Sequence, residues 1–163
     1  DAVRAWSSGE GLTLRNPMST RPWQHVLEPL SGYLMTGLAL RNGTLRSGES
    51  LNFGPSDQTT ESVGDLTALL SSKLAGGVPL KIEVVEQSVP ESGLLRLTSD
   101  KARQLLNWSP LLNFDETVSW TADWYSGRAL GLDVLKLCLE QIHRYQALME
   151  KRSEELNRET RAS

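Results

Sequence analysis

A cluster of polar and aromatic side chains lies between Asn16 and His25, in the sequence NPMSTRPWQH. Arg21 carries a planar guanidinium group that can bind two phosphate oxygens at once. Trp23 offers a flat face for a base or a sugar, and the amides of Asn16 and Gln24 can both donate and accept hydrogen bonds. His25 can do either at neutral pH. These residue types suit an anionic ligand that contains a ring, such as a nucleotide sugar.

The same residues also have a purely structural interpretation. Arg21 can cap backbone carbonyl groups, Trp23 can belong to the core, and His25 can be an internal histidine with satisfied hydrogen bonds. Clustered polar groups mark functional sites only in a statistical sense. From the residue types alone, both interpretations stay open.

The cluster leads into a segment that predicts a helix. From Val26 to Leu40 apolar residues recur at helical spacing, which predicts a mostly buried helix. Glu28 and Pro29 suit its first turn. The polar cluster therefore lies on the connection into a helix, where functional side chains are often carried on a rigid scaffold.

Periodicity and turn residues predict the remaining elements of a helix-rich α/β chain. Helices are expected at about 1–8, 62–74, 98–106, 114–125 and 133–157, and short strands at about 12–15, 50–55, 80–85 and 94–97, of which 80–85 alternates like a half-buried strand. Ser62 and Asn113 are the predicted N-caps of their helices, and Thr98 or Ser99 opens the helix at 98–106. The predicted inner face of the helix at 114–125 consists of Phe114, Val118, Trp124 and Tyr125. The last helix is expected to dock through an apolar face and to fray after Glu150. The residues of this face are Leu135, Leu139, Ile142, Met149 and Leu156.

The composition limits the classes of protein to which the chain can belong. The chain has 163 residues, a net charge of −3 and 39% hydrophobic residues, which suits one ordinary soluble domain. It has no basic stripe for nucleic acid and no apolar run of the roughly 20 residues that a membrane span needs. It has no signal peptide and begins with Asp1 rather than Met, so we expect a cut N-terminus and a cytoplasmic protein.

Metal and nucleophile chemistry is not indicated. His25 and His143 are far apart in sequence with no cysteine nearby, so no zinc site is predicted. The single cysteine, Cys138, cannot form an internal disulfide, and its apolar helical surroundings favour a packed thiol over a nucleophile.

The segment RNPMSTRPWQHVLEPLSGYL, residues 15–34, resembles the matching segment of CDP-glucose 4,6-dehydratases, which are extended short-chain dehydrogenase/reductases. More loosely, RPWQHV resembles the Arg-Asp-aromatic-x-Tyr/His-Val segment of nucleotide-sugar epimerases and dehydratases. Pro22 replaces the aspartate of the wider family, as it does in the CDP-glucose branch.

Three further segments extend the resemblance as far as about Met149. LNFGP at 51–55 is similar to the family's W-N-F-G-P, and LEQI at 139–142 to its terminal helix. Residues 99–125 resemble its pattern S-K-A, G-W-x-P, L-x-E-x-L, T-x-x-W-Y, with Asp100 and Asn107 in the places of serine and glycine.

The resemblance implies roles for the polar cluster. Arg21 would contact the diphosphate of the nucleotide sugar, with Asn16, Trp23, Gln24 and His25 lining the same pocket. His25 would either touch the ligand or brace Arg21 through a hydrogen bond, and both roles stay open.

Two more residues are implied on the far side of the ligand. Glu91 falls where the CDP-glucose branch has a His-Glu pair, although Pro90 replaces that histidine. Arg96 is the candidate for a second cation near the ligand, or else a surface residue of a strand.

The redox and elimination machinery of the family has no counterpart in the sequence. The family takes a hydride from sugar C4 onto NAD, eliminates water across C5–C6 and returns the hydride to C6. This chain contains no glycine-rich dinucleotide motif, only the glycine pair Gly9 and Gly11. None of Tyr33, Tyr125 and Tyr145 begins a Tyr-x-x-x-Lys pair. The chain is therefore expected to be inactive alone, with NAD bound by a Rossmann domain outside it.

The expected organisation follows from the resemblance. Residues 1–131 form an N-terminally truncated nucleotide-sugar-binding lobe, 132–150 a helix that docks on it, and 151–163 a charged tail. The ligand is CDP-glucose or a similar nucleotide sugar, and the full-length enzyme is a homo-oligomer. The alternatives are the substrate lobe of another nucleotide-sugar epimerase, reductase or dehydratase, or a non-catalytic module that binds a nucleotide sugar or pairs with a partner through residues 135–149.

Overall fold

A computed structural model describes residues 1–56, 61–74, 81–85 and 97–162 of the chain, without the side chains of residues 159, 160 and 162. Within these ranges the chain is rich in helix and has one small parallel sheet. This is the helix-rich α/β class that the sequence predicts. In chain order the elements are α1 (Ala2–Ser8), β1 (Leu12–Leu14), α2 (Leu27–Arg41), α3 (Val63–Lys73), β2 (Ile82–Val84), α4 (Asp100–Leu106), α5 (Phe114–Ala129) and α6 (Val134–Ala162).

The sheet pairs β1 with β2, with Leu12 opposite Ile82 and Leu14 opposite Val84. Leu12 and Leu14 are buried and pack with Ala5 of α1. The side chains of β2 are exposed, although alternation in the sequence predicted a half-buried strand. That prediction is wrong because alternation identifies a strand but not whether another element covers it.

Helices α3 and α5 form the main core together with α1. Each begins with a capping box: the Ser62 hydroxyl accepts from Asp65 N at 3.1 Å, and the Asn113 side chain accepts from Glu116 N at 2.9 Å. These reciprocal bonds satisfy backbone donors that a helix start leaves open. The buried core residues between the three helices are Trp6, Leu70, Leu74, Val118 and Ala122.

The inner face of α5 differs from its prediction. Val118 lies inside as expected, but Trp120 is the large buried side chain, and Phe114, Trp124 and Tyr125 are only half-buried. Trp120 packs with Leu112 and Tyr145 in a second cluster that faces α6. The helix is thus buried on two sides, which a single predicted stripe did not anticipate.

Residues 51–56 form no strand, contrary to the prediction for 50–55. The Gly54 amide donates instead to the Ser99 hydroxyl at 2.8 Å, and Ser99 makes no side-chain capping bond to α4. Of the two residues predicted to open α4, Thr98 is the one whose hydroxyl accepts from a helix amide, Asp100 N at 3.4 Å. Phe53 is buried against Trp108 and Ala102. The segment is held by a side chain and by burial rather than by a neighbouring strand. Of the strand predicted at 94–97, residues 94–96 lie outside the described residues.

Helix α2 has its predicted bounds but not its predicted burial. Its buried residues are Glu28, Ser31 and Gly32, whereas Leu34 is 77% exposed and Leu30, Tyr33 and Leu38 are also exposed. The expectation of a mostly buried apolar helix is therefore wrong. The polar side chains of Glu28 and Ser31 can lie on the buried face of α2 because they hydrogen bond to residues far away in the sequence.

Helix α6 continues through the charged segment to Ala162. Its predicted docking face is also wrong: Leu135 is 67% exposed, and Leu139, Ile142 and Met149 are exposed as well. The helix docks instead through Tyr145, which is buried. No helix in the described part of the chain combines the length and the apolar character needed to cross a membrane.

Candidate functional site

The segment between β1 and α2 lies along the start of α3. Val63 N donates to Ser19 O at 2.9 Å, and Gly64 N donates to Pro17 O at 2.8 Å. A side chain at Gly64 would bring a Cβ to 3.2 Å from that same carbonyl oxygen, so glycine permits the close approach. These backbone bonds hold the segment that carries the predicted site residues.

Three predicted site residues hold this segment through their side chains. Arg21 Nη1 donates to Thr20 O at 2.8 Å, and Trp23 Nε1 donates to Glu61 O at 3.0 Å. Gln24 Nε2 donates to Phe53 O at 2.8 Å. Arg21, Trp23 and Gln24 are half-buried. These contacts agree with the structural interpretation, and they also fix the directions in which the three side chains point.

Buried polar atoms without a partner lie on and beside the segment. In the described part of the chain, Asn16 Nδ2, Gln24 Oε1 and Glu61 Oε2 are buried and have no hydrogen-bond partner. Such atoms are uncommon because leaving a buried donor or acceptor unpaired costs about 1–3 kcal/mol. Asn16 and Gln24 belong to the predicted site, and each retains capacity for one more hydrogen bond.

His25 lies on the opposite side of the segment, against α5 and α6. Its ring meets the Trp120 ring edge-on, with centroids 5.7 Å apart. Leu27 N donates to His25 Nδ1 at 3.4 Å, and the side chain also hydrogen bonds Gln141. Burial lowers the pKa of His25 below its ordinary value, and the bond to Gln141 opposes this effect. His25 is therefore a neutral imidazole at physiological pH.

An apolar cavity of about 520 Å³ opens beside His25, between the start of α2 and helices α5 and α6. Arg21 does not line it. The structure thus separates the predicted site into Arg21, Trp23 and Gln24 on one side and His25 on the other. The lining residues are His25, Val26, Leu27, Leu30, Thr121, Trp124, Tyr125, Cys138, Gln141 and Ile142.

The remaining predictions concern Glu91, Arg96, Cys138 and the binding of a metal ion. Glu91 and Arg96 lie outside the described residues. Cys138 is a half-buried free thiol that accepts a hydrogen bond from Trp124 Nε1 at 3.4 Å. Among the residues that the structure describes, no three His, Cys, Asp or Glu side chains form a group that could hold a metal ion.

Glu28, three residues after His25, was not identified from the sequence as a site residue. Its side chain is 1% exposed. Oε2 accepts from the Tyr145 hydroxyl at 2.7 Å, and Oε1 accepts from the backbone amides of Leu111 at 2.9 Å and Leu112 at 2.8 Å. Burial raises the pKa of Glu28, and these hydrogen bonds partly oppose the rise. The carboxyl group joins α2, α6 and the loop before α5.

Ser31 extends this network on the same face of α2. Its hydroxyl donates to Glu28 O at 2.7 Å, accepts from Trp108 Nε1 at 2.9 Å and lies 3.2 Å from the Tyr145 hydroxyl. Burial also raises the pKa of Tyr145 above its ordinary value, so the phenol stays protonated and can donate. A sequence signal did exist: Glu28 and Ser31 are polar residues three apart, the spacing of one helix face.

A dinucleotide cofactor does not fit the residues of this chain. The described residues form one sheet of two strands, and the sequence has no glycine-rich turn between a strand and a helix. No step of a redox reaction is therefore assigned to these residues.

The sequence is similar to that of one curated protein in particular. The chain is 30% identical over 145 residues to the CDP-glucose 4,6-dehydratase of Salmonella typhimurium, a match that covers 89% of this chain and 40% of that protein. The chain thus spans well under half the length of this relative. No family model matches the chain.

Solved structures show the same fold at lower identity. PbgP3 of Burkholderia pseudomallei (TM-score 0.59, 20% identity) is matched over 80% of this chain and 38% of its own. The dTDP-glucose 4,6-dehydratase of Bacillus anthracis in complex with NAD (TM-score 0.59, 21% identity) is matched over 80% of this chain and 39% of its own. RMD of Pseudomonas aeruginosa complexed with NADPH (TM-score 0.59, 19% identity) is matched over 78% of this chain and 40% of its own.

The curated match and the structural matches each cover most of this chain but only part of each relative. The resemblance that the sequence predicts is confirmed: this chain is similar to the C-terminal part of the nucleotide-sugar dehydratases of the extended short-chain dehydrogenase/reductase family.

Proposed function

We propose that this chain is the substrate-binding part of an NAD-dependent CDP-glucose 4,6-dehydratase, a lyase that converts CDP-glucose to CDP-4-keto-6-deoxyglucose. The observation that carries the proposal is the 30% identity to a CDP-glucose 4,6-dehydratase across 89% of the chain. NAD and the groups that move hydride and protons come from a dinucleotide-binding part. This chain binds the nucleotide sugar and is inactive by itself.

Arg21 is the proposed contact with the diphosphate. It is half-buried on a segment whose backbone is tied to α3, so its position is set before a ligand arrives. A hydrogen bond between a guanidinium and a phosphate oxygen is charge-assisted and stronger than a neutral one. Partial burial strengthens it further because water screens it less.

The neighbouring residues are proposed to hold the rest of the ligand. The unpartnered buried atoms of Asn16 and Gln24 support this role, because a polar ligand would satisfy them. Trp23 offers a ring face. His25 acts as a neutral hydrogen-bonding group or a brace rather than as a cation, because burial lowers its pKa. Glu91 and Arg96 are proposed as contacts on the far side of the ligand.

Titration calorimetry of the chain with CDP-glucose, CDP and UDP tests the proposal. We expect CDP-glucose to bind and Arg21→Ala to weaken it by about 10- to 150-fold, since a hydrogen bond to a charged group contributes about 1.5–3 kcal/mol. Arg41→Ala, at the exposed end of α2, is the matched control and should bind like the unaltered chain. Equal affinity of Arg21→Ala and the unaltered chain would refute the placement of Arg21.

The same titrations separate two alternatives. With UDP-, dTDP- and GDP-sugars added to the series, preference for one of these ligands over CDP-glucose would indicate another nucleotide-sugar epimerase or dehydratase. An interaction module is favoured by the exposure of Leu135, Leu139, Ile142 and Met149 on α6. No binding of any nucleotide, together with a stable self-associated state, would support that second function.

A further inference from the structure

Two side-chain contacts connect α6 with the segment that leads from Arg21 into α2. Gln141 and His25 line the same cavity, and Gln141 Nε2 donates at 2.6 Å to the carbonyl of Trp120, whose ring meets the His25 ring edge-on. Tyr145 donates to Glu28 at 2.7 Å. Gln141 and Tyr145 are four residues apart and therefore lie on one face of α6. His25 and Glu28 are joined by a backbone turn in which Glu28 N donates to His25 O at 3.0 Å. Helix α6 thus holds the entry into α2 at two points.

The Glu28 end of this connection is anchored in the interior. Its carboxyl group also accepts from the backbone amides of Leu111 and Leu112, and it is almost fully buried. Rotation of the side chain would leave three donors without their partner, two of them backbone amides. Because such unpaired buried groups are costly, the carboxyl group has one stable position.

The His25 end is equally confined. Its ring is held edge-on against Trp120, and Gln141 Nε2 donates to Trp120 O at 2.6 Å. The Arg144 guanidinium lies 4.1 Å from the centroid of the Trp120 ring. Gln141 and Arg144 lie less than one turn apart on α6. Both contact Trp120, and they therefore fix the group against which the His25 ring packs.

We propose that Glu28 is a positioning residue for the nucleotide-sugar site, and that Tyr145 and Gln141 set the direction of the Arg21–Gln24 segment through Glu28 and His25. The ligand class is a nucleoside diphosphate sugar, so this inference rests on the proposed function. Neither Tyr145 nor Gln141 needs to touch the ligand. Helix α6 is then a part of the site rather than an appended helix.

The first test measures the dissociation constant of CDP-glucose for the variant Tyr145→Phe. The variant loses the hydroxyl that donates to Glu28 but keeps the buried ring. We expect binding about fivefold to tenfold weaker, because the segment is less well organised before the ligand arrives. Unchanged affinity would overturn the inference while leaving the proposed function intact. If Tyr145→Phe does not fold, Gln141→Met, which removes the contact with His25, takes its place with the same expectation.

Control variants separate positioning from loss of stability. Val118→Ala opens a cavity in the core between α3 and α5, away from the network, and should destabilise the fold while changing the affinity less than about twofold. Glu28→Gln keeps an oxygen that can accept from Leu111 and Leu112 and should retain most of the affinity that Glu28→Ala loses. Equal losses in Val118→Ala and Tyr145→Phe would overturn the inference.

A second measurement reports on the segment without any ligand. The indole N–H of Trp23 donates to Glu61 O, and its nuclear magnetic resonance signal can be identified with Trp23→Phe. We expect Tyr145→Phe to shift this signal and to speed its hydrogen exchange, and Val118→Ala to do neither. If the unaltered chain does not bind CDP-glucose, the proposed function fails, and the Trp23 signal alone decides whether α6 positions the segment.

Discussion

His25 shows how burial decides the chemistry of a residue that its type leaves open. An imidazole in water can be a cation, a donor or an acceptor near neutral pH. Here the ring is buried against Trp120 and bonded to Gln141, and desolvation lowers its pKa. It is therefore a neutral group on the other side of the segment from Arg21, which is the cation of the proposed diphosphate contact.

The lowered pKa of His25 predicts a pH-dependent contribution to stability. The unfolded chain takes up a proton on this group at a higher pH than the folded chain does, so its contribution to the free energy of unfolding falls as the pH drops below about 6.5. Glu28, whose pKa is raised, acts in the opposite sense, because its contribution to the free energy of unfolding rises as the pH falls. A comparison of variants is needed to isolate His25.

Urea unfolding of the unaltered chain and of His25→Asn at about pH 8 and about pH 5.5 makes this comparison. The asparagine oxygen can still accept from Leu27 N, but the side chain does not titrate. We expect the stability advantage of the unaltered chain over the variant to shrink at the lower pH. The exposed His143→Asn on α6 is the control. An advantage that grows on acidification would contradict the assignment.

Contacts between residues that are close in the sequence could be predicted from the sequence. The caps Ser62 and Asn113 were predicted because their bonds reach only three residues along the chain. The role of Glu28 was not predicted, because its partners Leu111 and Tyr145 lie 83 and 117 residues away. A buried carboxyl group whose donors come from distant segments looks, in sequence, like an ordinary acidic residue in a first helical turn.

Helix α2 connects the proposed site to the body through a close contact with Phe53. A Cβ built at Gly32 would overlap the Phe53 ring, whereas one at Gly37, on the same helix, would meet nothing within 4 Å. Phe53 in turn packs edge-on against Trp108, with ring centroids 4.9 Å apart. Gly32 thus permits the close approach of α2 to the segment that also receives the Gln24 amide.

This contact gives a prediction with an internal control. Gly32→Ala should lower the free energy of unfolding by about 1–3 kcal/mol, because the ring or the helix must move to admit the methyl group. Gly37→Ala should raise it by about 0.5–1 kcal/mol, because alanine is the better helix former and the site is open. Chemical denaturation of both variants measures the difference. A Gly32→Ala variant as stable as Gly37→Ala would contradict the close packing of Gly32 against Phe53.

Periodicity located the described helices but not the faces that they bury. Helices α1 to α6 were predicted close to their bounds because apolar spacing, caps and turn residues are local signals. The apolar stripes of α2 and α6 were assigned to the core, yet Leu34 and Leu135 are exposed. An apolar stripe identifies the apolar side of a helix. Which side is buried depends on the elements that pack against the helix.

The whole molecule carries an apolar surface that α2 and α6 share. A groove of about 590 Å³ between them is lined by Leu30 and Leu34 on one side and Ile142 and Met149 on the other. Neighbouring apolar side chains that are exposed together can mark a surface that another protein molecule covers.

The exposed stripes predict that the chain associates with itself when it is studied alone. Sedimentation equilibrium should show an apparent mass that rises with concentration in about the micromolar range, because burial of apolar surface drives association. Leu34→Glu and Leu135→Glu each place a charge in a stripe and should weaken association by about tenfold or more, since a charge is costly to bury. Met18→Glu, at a position 83% exposed and outside both helices, is the control and should associate like the unaltered chain. A mass that stays monomeric at every concentration would show that these stripes do not join copies of the chain.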